Sequence, residues 1–343
     1  MGMHMKFGII TALILGLGAP VAASPVASAE PLLIVPGAEY VALDQLLPKT
    51  PAVTRYYTHA IDIGKGFFPD STPSIVEYPG SIFIPGGIPR HVAIGATNLD
   101  AALKAVGGPA IAAGQSEGAI SINLEQARLQ DDPNAPAADQ LTFSVFSDPM
   151  RGIMTTLFKD GTHIPFIGLT AAPPVESRYN TIVVTNQYDL WSDFPDRPWN
   201  ILALANAFAG ATLTHARASD SPSTVPAENI SVITNSLGAT TTTYLVPALQ
   251  LPLTQPLRLV APGKLVDALD NALRPAIDAG YSRNDAPGST KPYLSHGVIR
   301  KGTGPAAAAK SATVRGASPL PAAAQKTVGP SGKRQGTANS RAR

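Results

Sequence analysis

Residues 109–124, PAIAAGQSEGAISINL, decide the fold. The run Pro109-Ala110-Ile111-Ala112-Ala113 is short, apolar and bounded by glycine, the pattern of a fully buried strand. From Ala119 onward the Ala/Ile/Leu spacing is that of a helix with an apolar face. Between them stands Gly114-Gln115-Ser116-Glu117-Gly118, a serine between two glycines at a strand-to-helix switch. That is the sequence form of a nucleophile elbow, a turn tight enough to call for glycines and to leave the hydroxyl exposed. The helix start adds its dipole and free backbone N–H groups, which suit an oxyanion formed there. Five residues can match by accident in a chain with 30 glycines, so the motif gains weight only if strands, helices and partner residues follow in the required order.

Upstream, Leu32-Leu33-Ile34-Val35 predicts a first buried strand that ends in a tight loop at Pro36-Gly37-Ala38. Residues 74–78 (SIVEY) predict a second strand, and 97–106 (TNLDAALKAV) an amphipathic helix capped by Thr97 or Asn98 and stopped by Gly107-Gly108. Downstream, 141–146 (LTFSVF) and 181–185 (TIVVT) are strands, and 201–209 is a helix. Residues 230–234 and 240–246 form a hairpin, and 264–280 an amphipathic helix with Leu265, Val266, Leu269, Leu273 and Ile277 on one side. Strands alternating with helices predict an α/β fold with a mostly parallel sheet.

The chain has 343 residues, 44% of them hydrophobic and 15% charged, enough for one large globular core. It has no cysteine, which excludes disulfides, thiolate metal sites and a cysteine nucleophile. Serine, carboxylates and histidine must carry the chemistry, and nothing calls for a metal or an organic cofactor. Lys6, the apolar run 7–17 (FGIITALILGL) and Ala27-Ser28-Ala29 before Glu30 predict a signal peptide over 1–29 and therefore export, with an uncleaved anchor as the alternative. From Arg300 onward there are nine Lys/Arg and no acid, which leaves 17 bases against 24 acids in the body. Residues 300–343 read as a disordered basic Ala/Pro/Gly-rich tail, a solvated and dispensable extension or else a contact for an anionic membrane or cell-wall surface, and 30–299 as the folded domain. Export and an acidic body argue against nucleic acid.

A serine nucleophile needs a base and an orienting carboxylate, in the chain order Ser, Asp or Glu, His for α/β-hydrolases. Asp189 follows the buried strand 181–185, at the sheet edge where sites are built, and Asp193 and Asp196 in the next loop are the fallback. Of six histidines, His4 lies in the signal peptide, His59 and His91 precede the serine, and His163 precedes the acid. His215 is preferred over His296, which abuts the tail. The backbone N–H of Glu117, with that of Gly37 or Ala38, is expected to form the oxyanion hole. Trp191, Phe194 and Trp199 either line an acyl groove or belong to the core.

From about residue 32 to 283 the chain resembles the PE-PPE domain, a cutinase-like branch of the serine α/β-hydrolases. The resemblance rests on AAGQSEGA, LTFSVFSDP and above all YNTIVVTNQYDLWSDFPDRPWNILALANAFAG, with support from TTTYLVP, LPLTQPLR and LVDALDNALRPAIDAGYSR. It implies a three-layer α/β-hydrolase sandwich, Ser116 as nucleophile, Asp189 as acid and His215 as base. Two departures stand out. The loop after the first strand reads VPGAEY in place of a GGTG-like turn, and Ala248-Leu249-Gln250 stands where family members often carry a histidine after YLVP. The resemblance implies acyl-ester substrates, and acyl transfer between trehalose glycolipids of the cell envelope for exported stand-alone members. The alternatives are a secreted esterase or lipase, and a non-catalytic envelope-binding protein on the same fold.

Overall fold

The computed structural model describes residues 29–81 and 87–302. The expected signal peptide and the expected basic tail lie outside the described residues, apart from their innermost ends. In chain order the elements are β1 (Pro31–Val35), α1 (Tyr40–Leu46), α2 (Pro51–Thr54), β2 (Thr72–Ile75), α3 (Gly87–Val106), β3 (Ala110–Gln115) and α4 (Glu117–Asp131). Then come β4 (Leu141–Phe146), α5 (Ile153–Leu157), the short pair β5 (His163–Ile164) and β6 (Leu169–Thr170), β7 (Asn180–Asn186) and α6 (Ile201–Leu213). The hairpin β8 (Ile230–Thr234) and β9 (Thr240–Val246), α7 (Gly263–Asp278), β10 (Pro292–Ser295) and β11 (Val298–Lys301) complete the described chain. The β10–β11 hairpin carries regular structure two residues past the expected tail boundary, because its register pairs Pro292 with Lys301.

Seven strands form one sheet in the order β2-β1-β3-β4-β7-β9-β8, parallel throughout except for β8 against β9. Alternate residues of the central strands enter two separate cores, which is why these strands read as continuous apolar runs. Leu33, Val35, Ala112, Phe143 and Val145 face α3 and α4, joined there by Leu99, Leu103, Ile122 and Leu129. Leu32, Ile34, Ile111 and Ala113 face Tyr40 of α1, Tyr57, Ile63, Ala218 and Val225. The layer on this second face is thus α1 together with irregular segments. Among the described residues no helix is long and apolar enough to cross a membrane.

Three expectations need correction. Strand β2 ends at Ile75, because Val76 and Tyr78 are buried by turning into the α3–α4 core, where the Tyr78 hydroxyl donates to the Pro36 carbonyl (2.7 Å). Helix α3 starts ten residues before Thr97, with Pro89 in the first turn, where no N–H is required. Thr97 and Asn98 therefore cap nothing: Thr97 Oγ1 donates to Ala93 O and Asn98 Nδ2 to Glu77 O. In α7, Val266 and Ile277 are buried while Leu265 and Leu269 are exposed, so its apolar stripe is wider than the edge it buries.

Candidate active site

At the C-terminal edge of β3 the chain turns through Ser116 at φ 54°, ψ −117° and enters α4 directly. A non-glycine residue in that region is strained, and here the strain falls on the serine itself. Neither flanking glycine has positive φ; both are required by close approach. A Cβ on Gly114 would stand 2.5 Å from Gly118 O, and one on Gly118 only 2.0 Å from Val35 O. The elbow is therefore wedged between its own helix and the end of β1.

Ser116 Oγ lies 2.8 Å from His215 Nε2, and His215 Nδ1 lies 2.9 Å from Asp189 Oδ2 and 3.1 Å from Oδ1. Asp189, three residues past β7, is fully buried and also accepts from Trp191 N–H (3.1 Å) and Ser192 Oγ (2.6 Å). A carboxylate only accepts, so the Nδ1 proton points at Asp189 and the Nε2 lone pair faces the serine hydroxyl. The loop that carries His215 follows α6 and is clamped from the sheet. Gln115 Nε2 donates to His215 O (3.0 Å), and Asn186 Nδ2 donates to Thr214 O (3.0 Å) and Arg217 O (2.7 Å). These amides, and Ser192, are absent from the sequence reading. Their signal lay inside the motifs, since Gln115 belongs to GQSEG and Asn186 to TNQYD.

The other candidates separate from this cluster. Asp193 pairs with Arg283 and accepts from Tyr188 N–H, and Asp196 accepts from Ser282, so neither faces His215. His296 is held by Asp160 at 2.8 Å, His59 by Asp44 at 3.1 Å, and His163 lies 3.4 Å from Thr170 Oγ1. The position after YLVP holds no base: Ala248 N–H donates to Gln187 Oε1 and Leu249 is exposed. Gly37 and Ala38 do face the serine. A Cβ on Gly37 would meet Gln115 Oε1 at 2.2 Å and Ser116 Cβ at 3.2 Å, and Ala38 lines the cavity above the hydroxyl.

That cavity, about 460 Å³, runs from Ser116 and His215 between α1–α2 and the end of α6. Its apolar wall is Tyr40, Leu43, Leu47, Val53 and Tyr57, with Tyr40 stacked on Tyr57 at 5.2 Å. The aromatic residues singled out from sequence divide differently. Trp191 is half exposed, with its ring 6.1 Å from that of His215. Phe194 packs with Leu190 and Ala207 in a core cluster, and Trp199 is exposed just before α6, so neither lines the cavity at Ser116. An α1–α2 wall was not legible because its apolar residues are spread over a segment rich in turns.

A parallel sheet whose third strand delivers a strained serine to a helix, with an Asp and a His brought to the same edge by later loops, defines an α/β-hydrolase fold. The PE-PPE domain model matches residues 69–282. The chain belongs to the PE-PPE domain family. Among its relatives from Mycobacterium tuberculosis (strain ATCC 25618 / H37Rv), the SL1278 acyltransferase Chp1 is 40% identical over 286 residues, covering 80% of this chain and 69% of that protein. The diacyltrehalose acyltransferase Chp2 is 39% identical over 293 residues, covering 78% and 79%. The PPE family protein PPE63 of the same strain is 41% identical over 281 residues, 78% of this chain, and this chain spans 58% of its length.

Proposed function

We propose that this protein is a serine acyl-transfer enzyme working through an acyl ester of Ser116, with His215 as base and Asp189 as the carboxylate that orients it. The observation that carries the reading is the hydrogen-bonded relay from Ser116 Oγ through His215 to buried Asp189, opening on an apolar cavity. As Oγ bonds the ester carbonyl carbon, its proton passes to His215 Nε2, and Asp189 stabilises the imidazolium. The carbonyl oxygen becomes an oxyanion that accepts from Glu117 N–H and from an N–H of Gly37 or Ala38. Collapse breaks the bond to the alcohol oxygen, which takes the proton from His215 and leaves the acyl group on Ser116. An incoming hydroxyl repeats the cycle in reverse, its proton passing through His215 to Ser116.

The cavity wall of Tyr40, Leu43, Leu47 and Val53 suits an acyl chain. The similarity to the acyltransferases Chp1 and Chp2, the latter a diacyltrehalose acyltransferase, favours a trehalose glycolipid as donor or acceptor, and water as acceptor makes the same site an esterase. The N-terminal signal pattern supports export, and the basic tail supports contact with anionic envelope surfaces.

The test uses the purified chain and Ser116→Ala with a fluorophosphonate probe and p-nitrophenyl esters of increasing chain length. Labelling and cleavage by the parent alone, with preference for longer chains, is the expected result. A parent that neither labels nor cleaves removes the enzyme reading. A diacyltrehalose donor with a sugar acceptor then separates transfer from hydrolysis by the products formed.

A further inference from the structure

The residue after the nucleophile is a glutamate whose side chain the mechanism leaves unused. Glu117 is 3% exposed, and neither carboxyl oxygen has a hydrogen-bond partner among the described residues. The titratable groups that face it come from three segments: His91 of α3, Glu39 of the β1–α1 turn, and Tyr78 beyond β2. His91 Nδ1 stands 3.6 Å from Glu117 Oε1 and accepts from Ser81 N–H at 3.3 Å, so that nitrogen carries no proton. Glu39 has φ 62° and accepts from Ser81 Oγ. Tyr78 donates to Pro36 O, in the loop that faces Ser116. No Lys or Arg among the described residues pairs with Glu117.

We propose that Glu117 is a positioning residue that works as an uncharged carboxylic acid. Packed between His91 and Glu39, its side chain holds the first turn of α4 and the Pro36–Tyr40 turn at the spacing where their N–H groups converge on an oxyanion at Ser116. The inference rests on the acyl-transfer reading above.

The two segments meet with no slack: a Cβ on Gly118 would strike the Val35 and Pro36 carbonyls, and one on Gly37 the Gln115 side chain. The neutral carboxylic acid is far less costly to bury without a partner than its anion. Loss of its proton to solvent leaves a buried carboxylate with no donor, beside a second carboxylate on the opposing segment. Such a charge is relieved by moving outward, which shifts the first turn of α4 against the Pro36–Tyr40 turn. Burial, reinforced by Glu39, pushes the Glu117 carboxyl up to about 7, so this proton is lost within a working pH range.

The experiment measures the rate of fluorophosphonate labelling and kcat/KM on a p-nitrophenyl ester from pH 5.5 to 9. For the parent both are expected to fall above about pH 7, approaching tenfold per pH unit. Glu117→Gln keeps an uncharged side chain of the same length; its profile lacks that fall and exceeds the parent's about 30-fold at pH 8.5. Glu117→Ala is uncharged but too short, and lowers kcat about tenfold at every pH with little change in KM. Parallel profiles for the parent and Glu117→Gln, or full activity in Glu117→Ala, overturn the proposal. If Glu117→Gln does not fold, His91→Gln serves instead: a displaced alkaline limb supports the proposal and an unmoved limb overturns it. A parent that never labels overturns the acyl-transfer reading itself, whereas a reactive parent with parallel profiles overturns this inference alone.

Discussion

Two buried carboxyl groups flank Ser116, and they are provided for in opposite ways. Asp189 sits behind His215 with three donors on its oxygens: the imidazole Nδ1, the Trp191 N–H and the Ser192 hydroxyl. Glu117 sits on the other side of the elbow with none. A buried carboxylate costs several kcal/mol unless hydrogen bonds replace its water. Asp189 has donors for a negative charge, and Glu117 has none among the described residues, so burial raises the Glu117 carboxyl to about 7. One polypeptide thus holds a donor-rich carboxylate and a donor-free carboxyl group near the same hydroxyl, and their hydrogen-bond partners distinguish them.

The sharpest way to break that contrast is Asp189→Asn. The amide N–H2 can donate to His215 Nδ1 and favour the tautomer that puts the proton on Nε2, where it can no longer receive one from Ser116. A fall of about 10³-fold or more in kcat is expected with the fold intact, read from ester turnover and circular dichroism. Glu117→Gln makes the same chemical change on the opposite side and is expected to do the reverse, improving activity at alkaline pH. Were both substitutions harmless, the two carboxyls would share no special relation to the serine.

The contrast was invisible in sequence. Ser116, Asp189 and His215 stand out because the first two follow apolar runs that must be strands and the third is what elimination leaves. The parallel sheet was legible for the same reason, since strands buried on both faces, such as 110–115 and 141–146, are predominantly apolar. The start of α3 was hidden because Gly-Ile-Pro at its first turn reads as a loop, although proline is tolerated there. The cavity wall was missed because Leu43, Leu47 and Val53 belong to short elements on the irregular face, without a period to reveal them. Whether a glutamate after the nucleophile meets solvent, a donor or nothing depends on residues 39, 78 and 91, and no local pattern reports that.

The next effect is on stability. An ordinary glutamate titrates near 4.5, and burial raises Glu117 to about 7. A carboxyl raised in the folded state contributes stability that is complete below the unfolded value and is lost as pH rises through the folded one. At about 1.4 kcal/mol per unit, discounted for partial hydration of the site, the parent is expected to lose roughly 2 kcal/mol between pH 4.5 and 7.5 relative to Glu117→Gln. Urea denaturation of both chains at the two pH values reads this directly. A difference that does not change with pH means Glu117 ionises freely, and the contrast with Asp189 disappears.

The smallest effect tests the charged side. Ser192→Ala removes one donor from Asp189 Oδ2 and leaves the Trp191 N–H and His215 in place. A hydrogen bond to a charged acceptor contributes about 1.5–3 kcal/mol, but the remaining donors and local relaxation recover part of it. We expect kcat/KM to fall about tenfold, with the loss in kcat rather than KM, because the orientation of His215 matters more in the transition state than in the bound ester. The direction carries the meaning. Weakening the support of Asp189 lowers its capacity to hold the imidazolium, whereas giving Glu117 a donor, as in His91→Lys, would stabilise a charge where the site works best without one. Both changes are therefore expected to lower activity, from opposite ends: one by removing a donor from the carboxylate behind His215, the other by adding a donor to a carboxyl group proposed to work uncharged.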